Sequence, residues 1–229
     1  HVYDSQGNPV PNQKVSLIKL STNFNQSTMT DSDGSYSLQV SPNTYNLDIF
    51  AQDNTNISAD VPQQYQLTAA NYSLTQSTVA DIIIPAYKVS VHTQDVSNNP
   101  VANVGIAAVG GNTSVSFSVG GTMINGSGRV NYGQSSNPAP QTDASGDATL
   151  WLLSNTYNFS ATPPSGSNYN SFTINNVSVT RDQIELISLQ YNHNVPITTL
   201  NLATQNSDGN YSDPTTVTLS ATAASNYII

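Results

Sequence analysis

Two short acidic turns are the segments whose residue types and spacing come nearest to a metal-binding motif. The first has the sequence DSDG at residues 31–34, and the second has DASG at residues 143–146. A calcium loop needs oxygen ligands at alternate positions over about twelve residues and a closing glutamate. The first turn has only the first two acids of that pattern, and the second turn lacks one of those. The sequence therefore predicts Asx-type turns in which glycine takes a positive φ, and no metal site.

The usual acid–base and nucleophilic residues of enzymes are scarce. The histidines are His1, His92 and His193, and Glu185 is the only glutamate. No Gly-x-Ser-x-Gly elbow occurs, and the absence of cysteine excludes disulfides, thiolate nucleophiles and thiolate metal ligands. A glycosidase-type pair of acids would have to come from aspartates in turns. The sequence therefore predicts a chain that is not an enzyme and binds no cofactor.

The single tryptophan has an informative position. Trp151 lies between Leu150 and Leu152 in a predicted strand, where alternate residues share a face, so the leucines point inward and Trp151 points outward. Cover by a neighbouring insertion is the favoured interpretation. The other is an exposed interface or sugar-binding face, where Tyr132 and Tyr169 would join Trp151 in a stacking platform.

Asn-x-Ser/Thr sequons are frequent, which makes N-glycosylation chemically available in a secreted protein. Their number is no more than chance gives at this asparagine, serine and threonine content, so the count itself is not an argument for glycosylation. The sequons are at Asn25, Asn56, Asn71, Asn112, Asn125, Asn158, Asn176 and Asn210.

The elements that carry these residues repeat along the chain. NPVPN at residues 8–12 returns as NPVAN at 99–103, and NTYN at 43–46 returns at 155–158. The offset grows from 91 to 112 residues between these matches, so the second copy carries 21 extra residues, at about 107–141. This order of repeated turns predicts tandem modules.

The same offset aligns His1 with His92, which follows a predicted first strand at residues 87–91. The chain is therefore expected to start inside a strand, as a mature or trimmed piece of a longer protein.

Alternating apolar patterns bounded by Gly, Pro, Asn and Asp predict short β-strands throughout, and no helical period runs for three turns. In the insertion, the alternation at 115–119 predicts an added strand and favours a hairpin over a floppy loop. The predicted strands are 14–18, 36–40, 45–49, 57–61, 65–67 and 79–84 in the first copy, 104–106, 148–153, 157–161, 172–179 and 184–189 in the second, and 198–203 and 216–221 beyond it.

Composition restricts the partners. Charged residues are 8% of the 229, against about 25% in ordinary soluble domains. With five Lys and Arg and a net charge of −9, the chain lacks the basic surface that nucleic acids need, and anionic membranes are disfavoured. No apolar run approaches the roughly 18 residues of a membrane span. We therefore expect no nucleic acid partner and no membrane insertion.

These turns resemble a known family. "GNPVPN", "TDSDGSYSL" and "PNTYNLDI", repeated as "NNPVAN", "TDASGDATL" and "SNTYNFSA", are similar to the carboxypeptidase-regulatory-like domain over about residues 1–190. The resemblance implies a transthyretin-like, seven-stranded sandwich that serves secreted proteins as a non-catalytic accessory or stalk. The end of the chain, "DGNYSDPTTVTLSATAASNYII", resembles the start of the Ig-like domain at the C-terminus of chitobiase-type enzymes.

Related collagen-adhesin B-type domains form Lys–Asn isopeptide crosslinks with the help of a carboxylic acid. Their lysine position corresponds to Val2 and Thr93 here, and their acid position to Ile49 and Ala161. The resemblance therefore implies that the crosslinking set is absent from its expected places. Lys88, in a predicted first strand, is a remote alternative.

The predicted organisation is an all-β chain of tandem Ig-like or transthyretin-like sandwiches of about seven strands each. Its modules are residues 1–86, residues 87–190 and an incomplete third sandwich at 191–229. The predicted function is that of a structural segment of an extracellular microbial surface protein (a stalk, filament or surface-layer subunit), joined by strand complementation to neighbouring copies. The alternative is a carbohydrate-binding accessory region of a secreted glycan-active or peptidase enzyme. Clustered exposed aromatic residues would favour this alternative.

Overall fold

The computed structural model describes residues 1–51, 60–130, 139–190, 201–202 and 215–216. It is an all-β protein, which confirms the predicted fold class, and the described helical structure is one 3₁₀ turn at Leu20–Thr22. The chain divides into two compact units, His1–Tyr191 and Asn192–Ile229. The predicted module boundary after residue 86 stays a prediction.

The strands follow the alternating sequence pattern. Those of the first copy are β1 (Val2–Tyr3), β2 (Gln13–Lys19), β3 (Phe24–Met29), β4 (Asn43–Ala51), β5 (Tyr65–Leu74) and β6 (Ile82–Ile83). The next are β7 (Ala86–Gln94), β8 (Gly105–Val109), β9 (Thr113–Val119), β10 (Thr122–Val130), β11 (Asp147–Leu153), β12 (Asn155–Thr162), β13 (Phe172–Val179) and β14 (Gln183–Ser188). In the second unit, β15 (Asn201–Leu202) pairs antiparallel with β16 (Thr215–Thr216).

Three strand pairings recur in both copies. In the second copy one sheet has the order β13-β12-β8 and the other β11-β7-β14. In the first copy β5, β4 and β2 pair in the corresponding order, with β3 added at the edge, and β1 pairs parallel with β6. Apolar residues at alternate positions, such as Leu47 and Ile49 in β4, are buried because successive side chains point to opposite faces.

Tyrosine hydroxyls hold one corner in both copies. The hydroxyl of Tyr45 donates to the carbonyl of Ser41 at 2.6 Å, and that of Tyr157 donates to the carbonyl of Leu153 at 2.9 Å. The repeated NTYN sequence thus makes the same hydrogen bond at the start of two corresponding strands, β4 and β12.

The structure differs from the strand predictions of the first copy at three places. Residues 36–40 form no strand, and among the described residues no strand lies beside them as β7 lies beside β11. The segment before Thr30, where no strand was predicted, contains β3, which pairs antiparallel with β2. The strand predicted at 79–84 is reduced to β6. The prediction at 57–61 falls largely outside the described residues.

The hairpin predicted in the insertion is present as β9 and β10, which pair antiparallel over seven residue pairs. Among the residues that the structure describes, no helix has the length and apolarity to cross a membrane.

Candidate functional site

The insertion hairpin pairs with strands of the first copy, and this shared sheet is the candidate functional site. On one side β10 is antiparallel to β5, with Ser127 opposite Thr68 and Val130 opposite Tyr65. On the other side β9 is antiparallel to β6, with Val119 opposite Ile82. The result is one eight-stranded sheet of order β1-β6-β9-β10-β5-β4-β2-β3. Residues of the second copy therefore close one side of the first sandwich.

Apolar side chains of the hairpin are buried at this joint. Val115, Phe117, Val119 and Val130 are at most 5% exposed. Each fully buried side chain of this size contributes about 1.5–3 kcal/mol. The hairpin is thus held by a core as well as by backbone hydrogen bonds.

Two glycines of β10 allow this strand to lie close to β5 and to core side chains of both copies. A Cβ atom at Gly126 would lie 2.3 Å from the carbonyl oxygen of Thr68. A Cβ atom at Gly128 would lie 2.9 Å from Leu153 Cδ1 and 3.1 Å from Leu67 Cδ2, which belong to different copies. Any larger residue would force backbone or core atoms apart.

The connecting segment is short and fixed. Ile84 and Ala86, on either side of Pro85, are buried. The amide of Ile84 donates to the carbonyl of Tyr3 at 2.9 Å, and Pro85 restricts φ. The joint is therefore restrained by both its linker and the hairpin.

The two acidic turns are closed by their own backbone amides. Asp31 Oδ1 accepts from the amide of Ser35 at 2.9 Å, and Asp31 Oδ2 accepts from the Ser35 hydroxyl at 2.6 Å. Hydrogen bonds from the Asp33 side chain and from Ser35 lower the pKa of Asp31 to about 2. In the second turn Asp143 Oδ1 accepts from the amides of Ser145 and Asp147. Their geometry is that of Asx turns.

The glycines of these turns pack against the first strand of each copy. Gly34 and Gly146 have φ of 75° and 77°. A Cβ at Gly34 would lie 2.6 Å from the carbonyl oxygen of Val2, and one at Gly146 would lie 2.4 Å from that of Thr93. Both the positive φ and the close contact require glycine.

Histidines and acids do not converge in the described part of the chain. His92 Nδ1 lies 2.7 Å from Asp147 Oδ1, and the ring of His1 stacks on Tyr3. His193 lies outside the described residues. Across residues 1–51, 60–130 and 139–190, no group of three or more His, Asp or Glu side chains could hold a metal ion.

Trp151 is half-buried against the core and lies opposite Lys88. Since Leu150 and Leu152 are fully buried, Trp151 lies on the outer face of its sheet. Ile184 and Leu186, 78% and 56% exposed, lie on that same face of β14. The face is mixed, because the register places Lys88, Ser90 and Thr149 on it beside these apolar side chains.

The other proposed platform residues are not shown to join Trp151. Tyr169 is half-buried and packs against the core, and Tyr132 lies outside the described residues. The exposed phenylalanines, Phe24 and Phe172, belong to different sheets. Both interpretations of Trp151, cover by the insertion and an interface or sugar-binding face, stay predictions.

The sequons within the described ranges share one property, which is that their asparagines are exposed. Asn56 and Asn210 lie outside those ranges. The six described asparagines are Asn25, Asn71, Asn112, Asn125, Asn158 and Asn176. Occupancy stays a prediction.

The positions that correspond to an isopeptide crosslink lie in the core. Val2, Thr93, Ile49 and Ala161 are all 0% exposed, so these buried places hold apolar or hydroxyl side chains. Lys88 is exposed, and its backbone amide donates to Asp182 Oδ1 at 2.9 Å.

The sequence reasoning missed the pairing of the hairpin with the first copy, and with it the roles of Gly126, Gly128 and Phe117. The available signal was the pair of glycines two residues apart in an alternating strand, which marks a close approach of another backbone.

Comparison with known proteins gives one family match. Residues 1–93 match the carboxypeptidase regulatory-like domain family. No curated protein matches the chain in sequence.

Three solved structures are similar to the chain at low sequence identity. The Bacillus anthracis TIE protein is 12% identical with a TM-score of 0.29, and the match covers 93% of this chain but 39% of that one. The shaft pilin SpaA of Lactobacillus rhamnosus GG is 10% identical with a TM-score of 0.36, covering 83% and 95%. The minor pilin of Streptococcus agalactiae is 13% identical with a TM-score of 0.30, covering 85% and 87%. This chain thus spans well under half of the TIE protein.

The likeness of the chain's end to a chitobiase-type domain stays a prediction. Residues 1–93 match the carboxypeptidase regulatory-like domain, as their turn motifs predicted.

Proposed function

We propose that this chain is a non-catalytic structural segment of an extracellular microbial surface protein, in which the joint between the first two modules is stiff. The observation that carries the proposal is the sheet shared across the joint, in which β10 pairs with β5 and β9 with β6. Bending at this joint would break backbone hydrogen bonds and expose buried apolar side chains such as Phe117. Stiffness is a mechanical property that suits a stalk, filament or surface-layer subunit.

Two observations support an extracellular location, which are the matched family and the low charge content. Domains of the matched family are accessory or stalk units of secreted proteins. The surface is polar but nearly free of ions, so variable salt and pH would have little effect on it. The partners we propose are neighbouring copies or domains of the same surface protein, which associate through strands.

A designed disulfide tests the stiff joint. The chain has no cysteine, so Thr68→Cys with Ser127→Cys introduces a single possible bridge between directly opposite residues of β5 and β10. We expect spontaneous oxidation, with an unchanged small-angle scattering profile, because the residues are already adjacent.

The matched control is Thr68→Cys with Ser114→Cys. Ser114 lies opposite Ser127 on β9, one strand further away, so the two sulfurs would be about 10 Å apart and should stay reduced. Equal oxidation of both pairs would show a mobile hairpin and overturn the proposal. So would a maximum dimension from scattering that decreases only when the first bridge forms.

A further inference from the structure

A row of four outward side chains crosses the joint between the two copies. Lys14 of β2 lies opposite Phe50 of β4. Phe50 in turn lies opposite Gln66 of β5, and Gln66 lies opposite Arg129 of β10. The residues on either side of each of them in the strands are buried, so the four side chains point to the outer face of the eight-stranded sheet. Because Arg129 belongs to the second copy, the row exists only where the hairpin pairs with β5.

A pocket lies on this row, and we name it the joint pocket. Its volume is about 310 Å³, and it is lined by Phe50, Ala51, Gln64, Tyr65, Gln66 and Arg129. Phe50 and Arg129 are two strands apart, about 10 Å at the backbone, with Gln66 between them. The pocket thus has an aromatic wall, a guanidinium wall and an amide between them. Its volume is at the lower end of the range of about 300–1,000 Å³ that small-ligand sites have.

The charge of this part of the sheet is opposite to that of the whole chain. Strands β3, β2, β4, β5 and β10 contain three basic residues and one acidic residue, whereas the chain has a net charge of −9. The acid is Asp48, two residues from Phe50 on the same face of β4. Among the described residues, neither Lys14 nor Arg129 forms an ion pair. The row therefore presents positive charge to a ligand.

One side of the Phe50 ring is already occupied. Lys14 Nζ lies 5.2 Å from the ring centroid, in a cation–π contact. Lys14 is on the β2 side of the ring and does not line the joint pocket, which lies on the β5 side. A ligand in the pocket therefore meets an aromatic surface whose attraction for cations is already used. Together with Arg129, this arrangement disfavours a cationic ligand and favours an anionic one.

The pocket recognises a ligand through side chains and not through backbone groups. Strands β4 and β5 are each paired on both sides, so their backbone groups are used within the sheet. A peptide that binds by strand addition needs an unpaired edge. A guanidinium binds a carboxylate in a bidentate pair, and the amides of Gln64 and Gln66 both donate to and accept from hydroxyls. Beside an aromatic surface, these groups match an acidic sugar.

We infer that the joint pocket binds a carboxylate-bearing sugar, of the class of a uronic acid unit. The carboxylate binds Arg129, the hydroxyls form hydrogen bonds with Gln64 and Gln66, and the C–H face of the sugar ring packs on Phe50. Lys14 adds attraction at longer range, so binding weakens as the salt concentration rises. This ligand site goes beyond the structural role proposed above. It depends on the pairing of β10 with β5 and not on the stiffness of the joint.

Titration of the full chain with D-glucuronate, followed by amide chemical shifts in NMR spectra, tests the inference. We expect saturable shifts at residues 49–51, 64–66 and 128–130, with a dissociation constant of about 1 mM. Glucose, which has a hydroxymethyl group in place of the carboxylate, should bind about tenfold more weakly. Acetate, which supplies the carboxylate without the sugar ring, should also bind about tenfold more weakly.

Substitutions test the role of the guanidinium. Arg129→Gln should weaken glucuronate binding by about tenfold, and Arg129→Lys should restore only part of the affinity because it keeps the charge but not the bidentate geometry. Arg181→Gln is the matched control, since it makes the same charge change at an exposed residue between β13 and β14. It should change the affinity less than about twofold. The melting temperature of each variant separates loss of binding from loss of the fold.

Absence of saturable glucuronate binding would overturn the inference, and so would equal binding of glucuronate and acetate. Tighter binding of a peptide of three glutamates would show a site for acidic peptides and would also overturn it. An equal loss of affinity in Arg181→Gln and Arg129→Gln would show attraction by net charge alone. The disulfide test at positions 68 and 127 is independent of these titrations, so failure of the pocket and failure of the proposed function are distinguishable.

Discussion

A methyl group at position 126 would lie 2.3 Å from the carbonyl oxygen of Thr68, which is closer than a Cβ atom can approach. That oxygen belongs to a paired strand, so it cannot move without disturbing the sheet. At position 128 the neighbours are side chains from both copies. The contact between the copies therefore depends on two glycines as well as on the buried apolar side chains of the hairpin.

Gly126→Ala should lower the free energy of unfolding by about 1–3 kcal/mol, because overpacking against backbone is poorly relieved. The measurement is urea unfolding of the full chain. Gly111→Ala is the control, since a Cβ there has no neighbour within 4 Å and the residue has no positive φ. Equal effects at both positions would contradict the steric argument.

For single residues, the sequence predicts local geometry but does not predict contacts with residues far away in the chain. The outward position of Trp151 follows from the alternation of its neighbours, and the Asx turns follow from the spacing of Asp31 and Gly34. The requirement for glycine at position 126 depends on Thr68, which is far away in sequence. No local rule connects the two.

Among the elements, the insertion hairpin is the one whose role changed most between sequence and structure. Alternation predicted its strand at 115–119, and the structure contains it as part of β9. Alternation shows that one face is buried, but it does not show against which sheet. The partner strands β5 and β6 are set by tertiary structure.

Phe117→Ala should cost about 3–5 kcal/mol of stability, since the ring is 1% exposed and its loss leaves a cavity in the hairpin core. Met123→Ala, in the same hairpin but 64% exposed, should change stability by less than about 0.5 kcal/mol. Chemical denaturation with two spectroscopic probes measures both. A small effect of Phe117→Ala would mean that the hairpin contributes little to the fold.

Residues 36–40 show the opposite limit of prediction. Their alternation is as good as that of β11, yet they form no strand in the structure. Strand propensity measures how well a segment fits a pleated, half-buried surface, and none of the described strands pairs with residues 36–40. The local pattern was interpreted correctly, but pairing decides the outcome.

For the molecule as a whole, stability comes from apolar burial and backbone pairing much more than from charge. Within the described ranges the His1 ammonium pairs with Asp81, and His92 contacts Asp147 in a pair that is ionic only when the histidine is protonated; both pairs are partly exposed. Exposed pairs contribute little and are screened by salt. The low charge content noted in the sequence therefore extends to the folded structure.

The melting temperature should be nearly constant from pH 7 to about pH 4.5 and should fall below about pH 4. Burial opposes ionisation of Asp4, but hydrogen bonds from Asn8, Asp60 and Gln6 outweigh it and lower its pKa, and the pKa of Asp31 is lowered to about 2. Carboxyls with depressed pKa values stabilise the fold above their ordinary value of 3.8 and lose that contribution as the pH falls.

Calorimetry across this pH range, at 50 and 500 mM salt, measures the effect. Ser35→Ala removes a donor to Asp31 and should make the decline at low pH shallower. A large drop in melting temperature between pH 7 and pH 5, or a strong dependence on salt, would contradict the prediction.

The hairpin β9–β10 also fixes the order of events when the chain is made. Residues 1–86 are synthesised before residues 113–130. During synthesis, β5 and β6 therefore have no β10 and β9 to pair with until the later segment has left the ribosome. Exchange of either copy alone would leave β5 and β6 without β10 and β9, or with strands that do not match them. The first copy therefore needs the second for the pairing partners of β5 and β6.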